Sequence, residues 1–403
     1  MAAVSTPRLG ERSHAANSAS SRAVPGMSES TRVAFLVRTL GIGGAQRQLM
    51  ALARSLDQKV FDVTVLTLYE GGQLIDDLRG TGVRIISLDK KSRWDLIGFL
   101  ARLFKVCRNL HPHILHSYLP GPNVISMLLK PLLRQTKIVW GIRSSAYDSG
   151  AQDSLSMLTL RVQTLLSRFA DLIIFNSNAG KRFHIAHGVA ASRAVVIHNG
   201  IDTVRFNADR REGLRLRSSW QVPEGALLIG IVGRIVRVKD YAMFLQAAAR
   251  LARLRPLARF VCIGSGSAEY MRTLQDLGAE LGLENKVFWP GELVEDLPNC
   301  YKAMDIFCSS SYAEGTSNVI LEAMACGVPC VVTDVGDSRV IVGDTGVVVP
   351  SRDPQALADG LEQMARRLAQ EPQLRVAARE RIVSYFSLDR LAQTTAKALI
   401  DLL

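Results

Sequence analysis

The chain reads as an α/β protein made of two doubly wound units, and three observations carry that reading. Short apolar runs alternate with amphipathic segments from residue 31 onward, the pattern of parallel strands joined by crossover helices. The alternation restarts at Leu227–Gly233, after a charged stretch containing Arg210-Arg211-Glu212 and Pro223. The first strand of each unit runs directly into a glycine-containing loop, Gly41-x-Gly43-Gly44 in one and Gly233-Arg234 in the other. A length of 403 residues suits two domains. The expected division is a disordered leader over 1–30, a first unit over 31–205, a linker over 206–225, a second unit over 226–375, and helices over 376–403 that cross back to the first unit.

In the first unit, Val33–Val37 is a strand, and the glycine loop leads into a helix with apolar Leu49, Met50, Leu52, Ala53 and Leu56. Strand, glycine loop and helix in that order form a phosphate-binding arrangement, and equally a tight turn. Val63–Leu68 and Arg84–Leu88 read as strands. A helix over 95–110 places Leu96, Phe99, Leu100, Leu103, Val106 and Leu110 on one side. Lys90, Lys91, Arg93, Arg102, Lys105 and Arg108 lie on its flank and other side. Next to Trp94, this pattern suits a basic amphipathic helix lying on an anionic membrane, or a core helix with a solvated basic face. His113–Tyr118 reads as a strand ending near His116, followed by a Pro120-Gly121-Pro122 turn, and Lys137–Arg143 as a strand ending at Arg143. His116 and Arg143 therefore fall at the carboxyl edge, where doubly wound sheets take ligands; a lone histidine is also an ordinary core residue. Leu172–Ser177 and Val195–Asp202, with the turn Asn199-Gly200, complete the unit.

In the second unit, Arg234 and Lys239 leave the strand Leu227–Gly233 and enter a helix over 240–254, a spacing that suits a diphosphate clamp. Phe260–Gly266, Val287–Trp289, Ile306–Cys308 and Cys330–Val332 are further strands, and Gly264-x-Gly266 is another candidate phosphate loop. The stretch Met304–Met324 is strand, small-residue loop and helix, so its helix N-terminus offers N–H groups and positive dipole to an anion. Glu314 precedes this helix and Glu322 lies within it. Eight residues of helix would separate them by about 12 Å, beyond the roughly 5–9.5 Å of carboxylate pairs that work on one glycosidic bond. The two carboxylates suit opposite ends of one long ligand with phosphate between them, or equally a capping acid and a solvent-facing glutamate. The segment over 353–403 is helical.

The net charge of +12 favours an anionic partner. No aromatic-interleaved basic motif supports nucleic acid, and no run of apolar residues is long enough for a transmembrane helix. Six cysteines without a bracketing histidine or second cysteine pair predict no zinc site and a reduced, cytosolic protein. The leader lacks a secretory apolar core; an organelle transit peptide and a true start at Met27 both fit it.

Together Gly43-Gly44-Ala45, His116, Asn199-Gly200-Ile201-Asp202, Gly233-Arg234, Lys239-Asp240, the E-x₇-E element Glu314–Glu322 and Gly327-Val328-Pro329 resemble the retaining glycosyltransferases of family 4, also called group 1, which have the GT-B fold. The resemblance covers residues 32–400 and implies two Rossmann-like domains around an interdomain cleft, the first binding acceptor and the second binding nucleotide-sugar. It implies Arg234, Lys239, Gly43 and Gly44 at the donor diphosphate, with the backbone N–H groups of Ser317, Asn318 and Val319. It further implies Glu322 at the ribose, and Glu314 and His116 as catalytic residues at the transferred sugar. Arg143, Asn199 and Thr316 are candidate substrate contacts, and the loops Pro290–Leu293 and Ser144-Ser145 are candidate base and sugar contacts. The implied reaction moves a hexose or N-acetylhexosamine, with retention, from a UDP-sugar to a lipid-linked or polysaccharide acceptor in cell-surface glycan synthesis. It calls on no metal and no cofactor beyond the donor substrate, and suits a cytoplasmic protein peripheral on the membrane. A sugar-nucleotide epimerase of similar fold and a non-catalytic nucleotide-binding protein at a membrane are the alternatives.

Overall fold

The computed structural model describes residues 30–41, 43–92, 94–143, 154–293 and 296–403; most of the expected leader, Arg93 and the Ser144-Ser145 loop lie outside them. The first sheet contains β1 (Thr31–Val37), β2 (Phe61–Thr67), β3 (Arg84–Ser87), β4 (Ile114–Tyr118), β5 (Lys137–Ile142), β6 (Leu172–Phe175) and β7 (Ala194–Val196). All pairs are parallel, in the order β3-β2-β1-β4-β5-β6-β7. Crossovers α1 (Gly44–Ser55), α2 (Ile97–Leu110), α3 (Pro120–Leu129), α4 (Ser154–Leu166) and α5 (Asn178–Ala186) cover it. The central strands are apolar on both faces because both faces are covered. Phe35, Val63 and Val65 pack on the α1 side, and Leu36, Leu115 and Trp140 on the α2–α3 side.

A connecting helix, α6 (Arg211–Ser219), leads to the second sheet: β8 (Leu228–Val232), β9 (Arg259–Ile263), β10 (Val287–Gly291), β11 (Ile306–Ser309), β12 (Cys330–Thr333) and β13 (Val347–Val349). The order is β10-β9-β8-β11-β12-β13, again parallel. Its helices are α7 (Tyr241–Leu254), α8 (Ala268–Glu280), α9 (Leu297–Ala303), α10 (Asn318–Ala325), α11 (Ser338–Val342), α12 (Pro354–Gln370) and α13 (Leu374–Phe386), and α14 (Leu388–Ile400) follows them. Strand order reverses between β1 and β4 in one sheet and between β8 and β11 in the other. The crevice outside the carboxyl ends of strands at such a switch is where open α/β sheets hold ligands.

Several expectations change. Segment 206–225 contains the connecting helix α6, which packs on α9, and its Arg210 and Arg217 reach the half-buried Asp305 at 3.1 and 2.8 Å. Of the segment expected to cross back over 376–403, α13 stays on the second unit through Ala378, Ile382 and Phe386. The chain breaks at Ser387, and α14 alone lays Leu391 and Leu399 into the first core. Pro120–Pro122 opens α3 rather than making a turn, since a proline in the first turn lacks only an N–H that has no helical partner there. In α2, Phe99, Leu103 and Cys107 are buried, as the core-helix alternative has it, while Trp94, Leu96 and Ile97 at its start are exposed. The three-residue strand β13 adds an edge that the sequence reading did not name. Gly264-x-Gly266 is a packing device: a Cβ on Gly264 would lie 1.9 Å from the Gly233 carbonyl, and one on Gly266 2.3 Å from that of Ile235.

Candidate active site

The start of α10 organises the crevice. Ser317 occupies the N-cap with extended backbone, yet no side chain caps the helix, and the buried Ser317 hydroxyl has no partner. An uncapped helix start concentrates unsatisfied N–H groups and positive dipole. The turn before it is held tightly: Gly336, at φ +59°, approaches so closely that a Cβ would sit 2.4 Å from the Gly315 carbonyl. Only Glu322 lies within the helix, so the 12 Å helical rise expected between the two glutamates does not apply.

Glu314 accepts hydrogen bonds from Lys239 Nζ at 2.5 Å and Ser311 Oγ at 2.8 Å. Lys239 ends a short turn after β8, and Ser310 Oγ fixes it by donating to the Lys239 and Asp240 carbonyls, each at 2.9 Å. Arg234 is exposed on the same loop. Glu322 accepts from Tyr301 Oη at 2.8 Å. Burial pushes its carboxyl up to about 7, against the opposing pull of Tyr301, Arg47, Arg205 and Lys239. Arg47 belongs to α1, so the first unit contributes a cation to the surroundings of Glu322.

The facing wall comes from the first unit. A Cβ on Gly44 would lie 3.7 Å from Asn318 Nδ2, which sets the glycine loop directly opposite the start of α10. Gly43 is the N-cap of α1, with φ −167°. Asn199 Nδ2 donates to Asn318 Oδ1 at 2.8 Å, and Thr316 Oγ1 donates to the Asn176 carbonyl at 2.5 Å. Arg143 donates to Tyr118 Oη at 2.8 Å and to Asn199 Oδ1 at 3.4 Å, with its guanidinium 4.6 Å from the centre of the Tyr118 ring. His116 lies inside β4 rather than at its end, fully buried between Phe35 and Tyr118, with neither ring nitrogen hydrogen-bonded. Burial, reinforced by Arg143, holds the imidazole well below its ordinary value, so it is neutral.

The structure thus gathers Gly44, Asn199, Thr316, Asn318, Lys239, Glu314 and Glu322 around one crevice, with Arg143 joined to it through Asn199, while His116 stands behind Tyr118. Sequence reasoning missed the contacts that hold the two walls together. Asp337 accepts from the backbone N–H groups of Asn178 and Ala179 at 2.7 and 2.9 Å, and from His198 Nε2 at 3.0 Å. Within the first unit itself, Gln48 exchanges two hydrogen bonds with the Gly200 backbone, at 2.9 and 3.0 Å. Gln48 sits one helical turn after the glycine loop, but neither its partner nor that of Asp337 is signalled locally. Among the described residues no group of three or more His, Cys, Asp or Glu could hold a metal ion.

Two family models match the chain in succession: glycosyltransferase family 4 over residues 42–205 and glycosyl transferases group 1 over residues 226–367. The chain belongs to the family 4, group 1 glycosyltransferases. A relative in Mycolicibacterium smegmatis, D-inositol 3-phosphate glycosyltransferase, is 30% identical over 240 residues, 59% of this chain and 55% of that one. The enzyme of the same name from Saccharomonospora viridis is 30% identical over 283 residues, 68% and 64% of the two chains. The matches therefore span between half and two thirds of these relatives' lengths. Among solved structures, Anabaena Alr3699/HepE in complex with UDP superposes with a TM-score of 0.81 at 22% identity, over 92% of this chain and all of that one. The apo lipopolysaccharide outer core galactosyltransferase WaaB superposes with a TM-score of 0.69 at 14% identity, over 93% of this chain and all of that one. At these identities the likeness concerns the fold, which is GT-B.

Proposed function

We propose that the protein is a retaining, metal-independent glycosyltransferase that moves a hexosyl or N-acetylhexosaminyl group from a UDP-sugar to a hydroxyl of a lipid-linked or polysaccharide acceptor in cell-surface glycan synthesis. The observation that carries this reading is the uncapped start of α10, with the Lys239–Glu314 pair on its own wall and Gly44 across from it. In this reading the diphosphate enters between these walls and displaces the Asn318 side chain, which lies 3.7 Å from a Cβ placed on Gly44 and accepts from Asn199 at 2.8 Å. The Anabaena Alr3699/HepE structures with UDP and with UDP-glucose support a uridine donor on this fold. The acceptor class rests on the family resemblance and the basic first unit.

In this reading Lys239 exchanges Glu314 for the donor diphosphate, and Arg234 closes on it from the same loop. Glu314, released from its cation, accepts hydrogen bonds from hydroxyls of the sugar. Glu322 accepts from the ribose, and Gly43 and Gly44 let backbone approach the phosphates with the N–H groups of Ser317, Asn318 and Val319. As the glycosidic bond breaks, negative charge grows on the leaving UDP. Fixed cations and a helix start stabilise that charge more than they stabilise the ground state, which lowers the barrier. Arg143, Asn199 and Thr316 border the space left for sugar and acceptor. His116 serves as a neutral hydrogen-bonding group at the sugar once its ring opens to the crevice, which sets its role apart from that of a charged acid.

Incubation with a panel of UDP-sugars and GDP-mannose, read as release of the nucleoside diphosphate, tests the reading. Release from a UDP-sugar, lost in Glu314→Gln, is the expected result. Absence of donor binding and of release across the panel overturns it. Deuterium entering an unreacted UDP-sugar would instead favour the epimerase.

A further inference from the structure

Asp337 stands at the N-cap of α11 yet makes no side-chain bond to its own helix. An aspartate in that place ordinarily accepts from the second or third N–H of the helix it opens. Here the buried carboxylate turns to the other unit instead. It accepts from the Asn178 N–H at 2.7 Å, the Ala179 N–H at 2.9 Å, Asn178 Nδ2 at 3.1 Å and His198 Nε2 at 3.0 Å. The His198 ring is itself set edge-on against Phe386, with centres 5.4 Å apart. Asn178 and Ala179 are the first two residues of α5, and Ser177 Oγ at its N-cap accepts from the third N–H, that of Gly180, at 3.0 Å. The first turn of α5 is therefore completed from both units, and the carboxylate lies at the positive end of the helix.

The backbone of the same residue holds the turn that leads into α10. The Asp337 N–H donates to the Gly315 carbonyl at 3.0 Å. Gly336 leaves no space between the two turns, since a Cβ there would lie 2.4 Å from the Gly315 carbonyl oxygen and 2.5 Å from that of Glu314. Glu314 is the partner of Lys239, and the turn it opens ends at Ser317, the N-cap of α10. Within that turn, Thr316 Oγ1 donates at 2.5 Å to the carbonyl of Asn176, two residues before α5. The turn before α10 is thus tied to the start of α5 twice, directly through Thr316 and indirectly through Asp337. Such a contact exists only while the units meet, because on separation the carboxylate and both α5 N–H groups would pass to water. A capping aspartate that leaves its own helix and completes another breaks a local rule for a gain elsewhere, which marks a functional position.

We propose that Asp337 is a positioning residue for the donor: it registers the turn Glu314–Ser317 against the start of α5, so that this wall of the crevice takes its binding geometry only while the two units are joined there. The proposal rests on the reading of the α10 start as the donor diphosphate site. Asp337 touches no substrate in it and acts through Gly315 and its neighbours.

The test is calorimetry of UDP binding to the full chain as wild type, Asp337→Asn, Asn178→Pro, Asn178→Ala, and the Asp337→Asn, Asn178→Pro double variant. Proline suits the first position of a helix, and Ser177 before it is already extended at φ −146° and ψ 150°. Asn178→Pro therefore removes the N–H from the joint, in the unit opposite α10, and leaves α5 intact. Asp337→Asn and Asn178→Pro are each expected to weaken UDP binding about tenfold, equivalent to about one charged hydrogen bond. The double variant is expected to match the weaker single variant, because both substitutions remove the same contact. Asn178→Ala keeps the backbone N–H and is expected to lose less than Asn178→Pro. Weakening by Asp337→Asn alone would confine Asp337 to its own loop and overturn the proposal, as would wild-type binding that no substitution changes. Absence of UDP binding by the wild type would overturn the donor reading, and the proposal with it.

Discussion

Glu322→Gln should stabilise the free protein while weakening donor binding, and both effects follow from one carboxyl group. Its ordinary value of 4.5 is pushed up to about 7 by burial. The folded protein therefore holds this proton more tightly than the unfolded chain does. The stability that the proton confers is fully present below 4.5 and is lost as pH rises through about 7. At about 1.4 kcal/mol per pH unit, the displacement from 4.5 to about 7 amounts to about 3 kcal/mol. Glutamine does not ionise and still accepts the Tyr301 hydrogen bond, so the variant escapes this loss. Urea unfolding of both proteins across the range from below 4.5 to above 7 should show the variant gaining on the wild type by about 3 kcal/mol, with nearly all of the gain inside that window. A carboxylate accepts from ribose hydroxyls more strongly than a carboxamide does. UDP affinity should therefore rise with pH through about 7 in the wild type and stay flat and weaker in the variant. Parallel stability curves for the two proteins would refute the reasoning.

Removing the ammonium group in Lys239→Ala should lower kcat/KM for the UDP-sugar by about 10 to 100-fold, the equivalent of one charged hydrogen bond of roughly 1.5–3 kcal/mol, as measured by steady-state kinetics. Asp305 accepts hydrogen bonds from Arg210, Arg217 and Arg375 and from the Leu228 N–H, so Asp305→Ala should destabilise the second unit by about 1.5–3 kcal/mol in chemical denaturation, because the half-buried guanidinium groups lose their counter-charge. Although burial opposes it, hydrogen bonds from His198, Asn178 and Ala179 hold the Asp337 carboxyl below its ordinary value. Its contribution is present above the ordinary value of 3.8 and is lost as pH falls through the lower folded value. Asp337→Ala should loosen the contact between the two units, read as a larger radius of gyration in solution scattering.

The two sheets and the placement of the glycine loop, Lys239, Glu314 and Glu322 were legible because they depend on local patterns. Apolar runs set the strands, glycines set the loops, and E-x₇-E bridges a loop and the helix after it. What stayed hidden depends on distant partners. Asn199 meets Asn318 across 119 residues, and Asp337 meets Asn178 across 159. Neither position carries a local signature, since any loop asparagine or aspartate looks the same before its partner is placed. His116 was assigned to the right strand but to its end, whereas it lies mid-strand, and its full burial depends on Phe35 and Tyr118, which close over the ring from the neighbouring strand and its own.

The proposed mechanism requires a nucleoside diphosphate gripped between the Gly43-Gly44 loop and the start of α10 by Arg234 and Lys239. Isothermal calorimetry of UDP binding to the wild type and to the Arg234→Ala, Lys239→Ala double variant tests it most directly. Loss of two charged contacts predicts a fall in affinity of about 100-fold or more. Equal affinity in the two proteins would contradict it.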